Sequence, residues 1–381
     1  MKVVIAMDSM KGSLTSLEAG AAVKAGIQRV MPNAKICVRP LAAVGEGTAE
    51  ALTLGMGGRM ETVSVSGPLG KQVEGNYGII EDRRTAVIEI AAAAGLTLVP
   101  DEERNPLNTT TYGVGELIKD AVQKGCRNFI IGLGGSATND GGIGMLQALG
   151  FGMLNADGGE VSRGAKGLKE LKRITEEHVL PELKECTFRI ACDVNNPLCG
   201  KQGASVVFGP QKGATPSLII QMDEWLSDYS KLAQAKYPRA NPEQAGAGAA
   251  GGLGFAFSTF MNAALEPGVE IVLEETELES EVQDADIVIT GEGRLDGQSA
   301  MGKAPVGVAK LAKNFLKPVF ALCGCIGENA RACNEYIDAY FPVLQNAVSL
   351  QEAMKSEVAA SNLTDTAEQV FRLILRLQNK N

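Results

Sequence analysis

Five short runs of strand character each end in a loop that mixes glycine with acids, hydroxyls or amides. The loops are DSMKGS (8–13), GEGT (45–48), GLGGSATNDGG (132–142), CDVNNPLCG (192–200) and TGEGRLDG (290–297). This recurrence limits the fold more than any other feature of the chain. Apolar runs alternating with segments of helical period imply a parallel sheet with crossover helices. In such open α/β sheets, ligands lie beyond the carboxyl ends of the strands. The expected class is therefore α/β, and 45 glycines suit its tight strand-to-helix turns.

At 381 residues the chain is too long for one ordinary core. The first strand is expected over residues 3–6, followed by a helix opened by the capping box Thr15-x-x-Glu18. Further strands are expected over 36–41 and 63–65, with a helix over 49–54 between them. Near the other end come a strand at 287–290, a helix at 306–312 and a strand at 319–322. A final helix carries the stripe Val370, Leu373, Ile374 and Leu377, with Asp365-x-x-Glu368 as its expected cap. Both chain ends share this rhythm, so residues 1–65 and 284–381 are expected to build one Rossmann-like domain. Residues 66–283 would form an inserted α/β domain with strands at 86–90, 129–131, 189–191 and 205–208.

The charge of −9 and the absence of a Lys/Arg-rich run argue against nucleic-acid or anionic-membrane partners. No apolar stretch nears the ~18 residues of a membrane span. The apolar run after Lys2 is too short for a signal peptide, so a cytoplasmic protein is expected. Eight cysteines without a C-x-x-C pair read as reduced, mostly buried thiols. His178 is the only histidine, which leaves no Ser–His–Asp or Cys–His pair and no Cys/His metal set. It reads as a surface or partly buried helix residue.

Loops that alternate glycine with Ser, Thr and Asn expose backbone N–H groups and suit phosphate. Nearby acids suit Mg²⁺, which prefers oxygen ligands. Phosphoryl transfer needs these parts together with a cation and a group that orients the attacking hydroxyl. Two familiar motifs fail on inspection. GQSAMGKA (297–304) has Ala304 where a phosphate-binding P-loop needs Ser or Thr, and its first glycine comes seven residues after the strand. Lys303 there reads better as a surface lysine at a helix start. GLGGSA (132–137) imitates the dinucleotide fingerprint, but Asp157, near the spacing of the ribose-binding acid, sits in a glycine-rich turn. Taken singly, Asp8 and Ser13 read as helix caps, Lys11 as a solvated turn residue and Asn195–Asn196–Pro197 as a turn.

Longer strings are more specific. DSMKGSLTSLEA, RNPLNTTTYGVGELI (104–118), GLGGSATNDGGIGMLQALG, CDVNNPLCGKQGASVVFGPQKGA (192–214), AGGLGFAF and ADIVITGEGRLDGQSAMGKAPVGVA (285–309) resemble the glycerate kinase type I family. They occur in the family's order and span nearly the whole chain. The resemblance implies ATP-dependent phosphorylation of D-glycerate, with 2-phosphoglycerate as the usual bacterial product, in the breakdown of glycerate, glyoxylate and sugar acids. It also implies two α/β domains with the active site in the cleft between them, Mg²⁺ with ATP as co-substrate, and small-molecule partners. A homodimer is compatible with it.

Within that reading, Asp8, Lys11 and Ser13 line one wall of the site, with Lys11 neutralising the transferring phosphoryl group. Gly134, Gly135, Ser136, Thr138 and Asn139 offer donors to a phosphate or to the glycerate carboxylate. Asp193 orients or deprotonates the glycerate hydroxyl beside Asn195. Glu292 and Asp296 are the Mg²⁺ candidates, and Arg294 grips the substrate carboxylate.

One stretch departs from the family pattern, Leu-Ala-Asp-Gly-Gly-Glu-Gly-Thr. Here Ala43 and Val44 replace an acid and a glycine. The change predicts weak activity or a displaced loop. Alternatives to the main reading are a kinase yielding 3-phosphoglycerate or acting on another small hydroxy acid, and a nucleotide-binding protein with impaired catalysis. An NAD-dependent dehydrogenase lacks the ribose acid and a catalytic histidine.

Overall fold

The computed structural model describes residues 1–41 and 47–378, so the departure at Ala43 and Val44, and Glu46 of the same loop, lie outside the described residues. The chain divides into two compact units, Met1–Ala43 with Val269–Asn381, and Val44–Gly268. In the first unit both chain ends build one five-stranded, wholly parallel sheet. Its order is Ala339–Pro342, Val319–Cys323, Ile287–Gly291, Lys2–Met7, Lys35–Pro40. In chain order this is 2-1-3-4-5, the doubly wound arrangement whose direction of winding reverses between the first and third strands. The central strands are buried along nearly their whole length, which is why they read as unbroken apolar runs.

Helix Ser16–Val30 begins at the expected capping box: Thr15 Oγ1 accepts the Glu18 N–H, and the Glu18 carboxylate accepts the Thr15 N–H. Such a cap contributes about 1 kcal/mol. The helix packs against the last helix, Ser356–Gln378, in a core shared by Val23, Ile27, Leu363 and Phe371. The two helices approach so closely that a Cβ on Gly26 would stand 2.1 Å from the Thr364 carbonyl oxygen. Asp365 and Glu368 do not cap this helix. They lie inside it on one face and both accept from Arg29, because an acid pair at i, i+3 serves a cap and a helix face equally well.

The second unit carries a six-stranded sheet in the order Ala264–Glu266, Thr187–Ala191, Asn128–Gly132, Thr85–Glu89, Gln72–Ile80, Arg59–Ser66. The first four strands are parallel and the last two join antiparallel, so neighbours in space are neighbours in sequence. Two expectations change here. Residues 47–65, expected in the terminal domain, belong to this unit, and 63–65 join its sheet, paired across a short hairpin with Gln72–Ile80. Residues 269–283, assigned to the insert, belong to the first unit. A short strand does not announce its sheet, and a hairpin partner is the nearest one available.

Residues 205–208 form part of helix Ala204–Phe208, not a strand. Val206 and Val207 are exposed there, and a run as short as Val206–Phe208 fits either state. His178 lies exposed in a turn outside any helix. All eight cysteines are free thiols. Among the described residues no helix is long and apolar enough to cross a membrane.

Candidate active site

The winding of the first sheet reverses between Lys2–Met7 and Ile287–Gly291, and the two loops richest in charge leave the sheet there. The Asp8 N–H donates to the Gly291 carbonyl at 2.8 Å, which joins the two strand ends. Asp8 is 5 % exposed and its carboxylate accepts the Ser9 N–H. Glu292 is 7 % exposed and accepts from the Ser299 hydroxyl, which in turn accepts the Asp296 N–H at 3.1 Å. Burial pushes the Glu292 carboxyl above the usual carboxylate range, and the charges of Asp8 and Asp296 add to this. The Ser299 bond and Lys303 oppose it. Asp8 and Asp296 thus stand near enough to Glu292 for their charges to raise its carboxyl.

Arg294 and Lys303 are exposed and approach Asp296 at 3.5 and 4.0 Å. Lys11 is exposed, and the Ser13 hydroxyl oxygen is enclosed without a hydrogen-bond partner among the described residues. Among those residues no three His, Cys, Asp or Glu groups converge as a metal cage. The set still fits Mg²⁺, which binds through one or two carboxylates, phosphate oxygens and water.

The second unit gathers different chemistry at the carboxyl ends of its parallel strands. After Asn128–Gly132 the chain turns through Gly135, whose φ of +71° is one that residues with a Cβ rarely adopt. The turn is pinned by backbone bonds from Leu96 N–H to the Gly135 carbonyl and from Ala137 N–H to the Ala94 carbonyl. Gly135 is exposed and Gly134 partly so. Ser136 is 7 % exposed, and Thr138 and Asn139 are fully enclosed. Asn139 Nδ2 donates to Ser205 Oγ at 2.9 Å, so this amide braces the loop from within.

Two residues here escaped the sequence reading. Asp140 is fully buried and accepts from Thr111 N–H and hydroxyl and from Gly142 N–H, and burial pushes its carboxyl up despite these bonds. Lys212 is 2 % exposed and donates to Ser136 Oγ at 2.8 Å and to the Thr138 carbonyl at 2.6 Å. Burial pushes its ammonium group down to about 7, with Asp140 opposing. An acid inside an already notable loop could have been singled out from the string NDGG. The burial of Lys212 leaves no mark in PQKGA.

After Thr187–Ala191, Asp193 is exposed, and one carboxylate oxygen accepts the Gly268 N–H at 3.0 Å. Asn195 is exposed beside it in the chain. The structure thus brings Asp8, Glu292 and Asp296 together in one unit, and Ser136 and Thr138 against a buried lysine in the other.

Comparison with known proteins agrees over the full length. Residues 3–375 match the model of the glycerate kinase family. A glycerate kinase of Haemophilus influenzae is 46% identical over 375 residues, covering 98% of this chain and 99% of the relative. A glycerate 2-kinase of Escherichia coli is 46% identical, covering 93% of each chain. A crystal structure of a Salmonella typhimurium LT2 protein with the provisional name glycerate kinase 2 superposes with a TM-score of 0.92. It is 44% identical and the match covers 100% of this chain and 99% of that one.

Proposed function

The chain belongs to the glycerate kinase family, and from that premise we propose that it phosphorylates D-glycerate with ATP, giving 2-phosphoglycerate. The observation that carries the reading is the match over residues 3–375, together with 46% identity to named glycerate kinases across nearly the whole chain. The partners are small molecules and the setting is the cytoplasm.

The chemistry divides among named groups. Glu292 and Asp296 would hold Mg²⁺, which supplies positive charge to the phosphate oxygens. Lys11, on an exposed loop, adds positive charge for the transferring phosphoryl group. Asp8 orients the loop that carries Lys11 and Ser13. Gly134, Gly135, Ser136 and Thr138 offer donors to phosphate or carboxylate, with Asn139 bracing them. Asp193 accepts or orients the glycerate hydroxyl proton, with Asn195 beside it. Its exposure leaves one carboxylate oxygen open to substrate while Gly268 fixes the other. Arg294, on an exposed surface, takes the glycerate carboxylate.

Phosphorus NMR of a reaction with D-glycerate, ATP and Mg²⁺ tests the reading. The expected result is growth of the 2-phosphoglycerate resonance with ADP. A 3-phosphoglycerate resonance overturns the assigned product, and the absence of any phosphorylated glycerate overturns the activity.

A further inference from the structure

We propose that Lys212 is the positioning residue that makes the glycine-rich loop at 133–140 an anion site, by aiming the Ser136 hydroxyl proton at a bound carboxylate or phosphate. An ammonium group has three donors and no acceptor. At 2.8 Å from Lys212 Nζ, Ser136 Oγ therefore accepts, and its own O–H is left to donate elsewhere. No described residue takes that proton. The second bond, to the Thr138 carbonyl, fixes the loop on the other side of Ala137. The lysine thus grips the turn at two points two residues apart.

The backbone points the same way. The N–H groups of Leu133 and Ala137 are used inside the fold, while those of Gly134, Gly135 and Ser136 meet no acceptor among the described residues. Three free N–H groups and one oriented hydroxyl form a donor set suited to a carboxylate or a phosphate.

Charge completes the argument. Lysine is almost never fully buried without a charge partner. Asp140 is the charged group that faces Lys212 among the described residues. It forms no ion pair with it, and its own oxygens are taken by Thr111 and Gly142. Tyr229, packed near Asp140, is held neutral by burial. The cation is thus under-compensated beside unused donors, and an anion on the loop would supply the missing charge. Because burial holds the free ammonium group near 7, anion affinity should depend on pH: a bound anion favours the charged lysine, so affinity falls as pH rises past neutrality.

This inference rests on the reading of the loop as an anion cradle and is independent of which glycerate hydroxyl is phosphorylated. Calorimetric titration of the full chain with D-glycerate and, separately, with ADP tests it and identifies the anion. For one of the two probes, Ser136→Ala and Lys212→Met should each weaken binding about tenfold, and the double variant should be no worse than Lys212→Met. In steady-state assays the matching KM should rise with kcat changed less than about threefold. The wild-type Kd for that probe should rise at least about fivefold from pH 7 to pH 9, and Lys212→Met should abolish the rise.

Should Lys212→Met not fold, Ser136→Ala and the wild-type pH titration decide alone. Wild-type Kd values for both probes in Ser136→Ala, or a flat wild-type pH profile, overturn the proposal. A chain that binds ADP with this pH dependence but phosphorylates no glycerate overturns the activity proposed above and supports this inference. A chain that phosphorylates D-glycerate with both Kd values unchanged in Ser136→Ala overturns this inference alone.

Discussion

The two units of the chain share a fold class and differ in the charged groups they enclose at their strand ends. In the first, the sheet winds in both directions from its centre, and Asp8, Glu292 and Asp296 collect where the winding reverses. In the second, the strands run in sequence order, and the glycine-rich loop rests on a buried lysine. One strand end encloses Asp8 and Glu292, with Asp296 near them. The other encloses Lys212 beside unused donors, with Asp140 buried near it. The lesson is that the same strand-end geometry can enclose acids alone or an acid together with a lysine.

The contrast can be broken by substitution. The largest effect is expected from Asp193→Asn in the second unit, which keeps an acceptor for the Gly268 N–H but removes the base. Turnover should fall about a thousandfold, and near-normal kcat would rule out the base role.

Next comes Glu292→Gln in the first unit, which should lower kcat about a hundredfold and raise the Mg²⁺ concentration needed for half-maximal rate. Its effect on stability should be opposite in sign. The carboxyl of Glu292 titrates higher in the folded chain than unfolded, so its favourable contribution is present at low pH and is lost as pH rises through the folded value. The Gln variant should therefore melt at or above the wild-type temperature at pH 7, and the gap should narrow toward pH 4. A lower Tm at pH 7 would contradict a carboxyl that burial disfavours in its charged form.

A smaller effect is expected from Arg294→Lys, which keeps the charge but loses the planar fork. KM for D-glycerate should rise about tenfold with KM for ATP unchanged. Smallest is the double change Ala43→Asp/Val44→Gly, which should raise turnover several-fold. Equal rates would show that this loop takes no part in the reaction.

Much of this contrast was legible in the residues, and for identifiable reasons. Buried parallel strands are unbroken apolar runs, so 3–6, 287–290 and 319–322 were visible, as was their union in one sheet from both chain ends. The loops that follow them were visible because glycine and acid after a strand is an unusual pairing. Residues 63–65 were placed in the wrong sheet because alternation marks a strand but not its partner. Residues 205–208 were misread because the three apolar residues 206–208 carry no period. Lys212 was out of reach for a different reason: its partner Ser136 lies 76 residues away, and long-range burial of a charged side chain is written nowhere near it in the chain.

Release of ADP from Mg-ATP, followed with and without D-glycerate, tests the central claim most directly. The account predicts ADP formation that depends on D-glycerate, saturates with it and matches the glycerate consumed mole for mole. An ADP rate identical with and without D-glycerate, in a chain that binds both ligands, would contradict it.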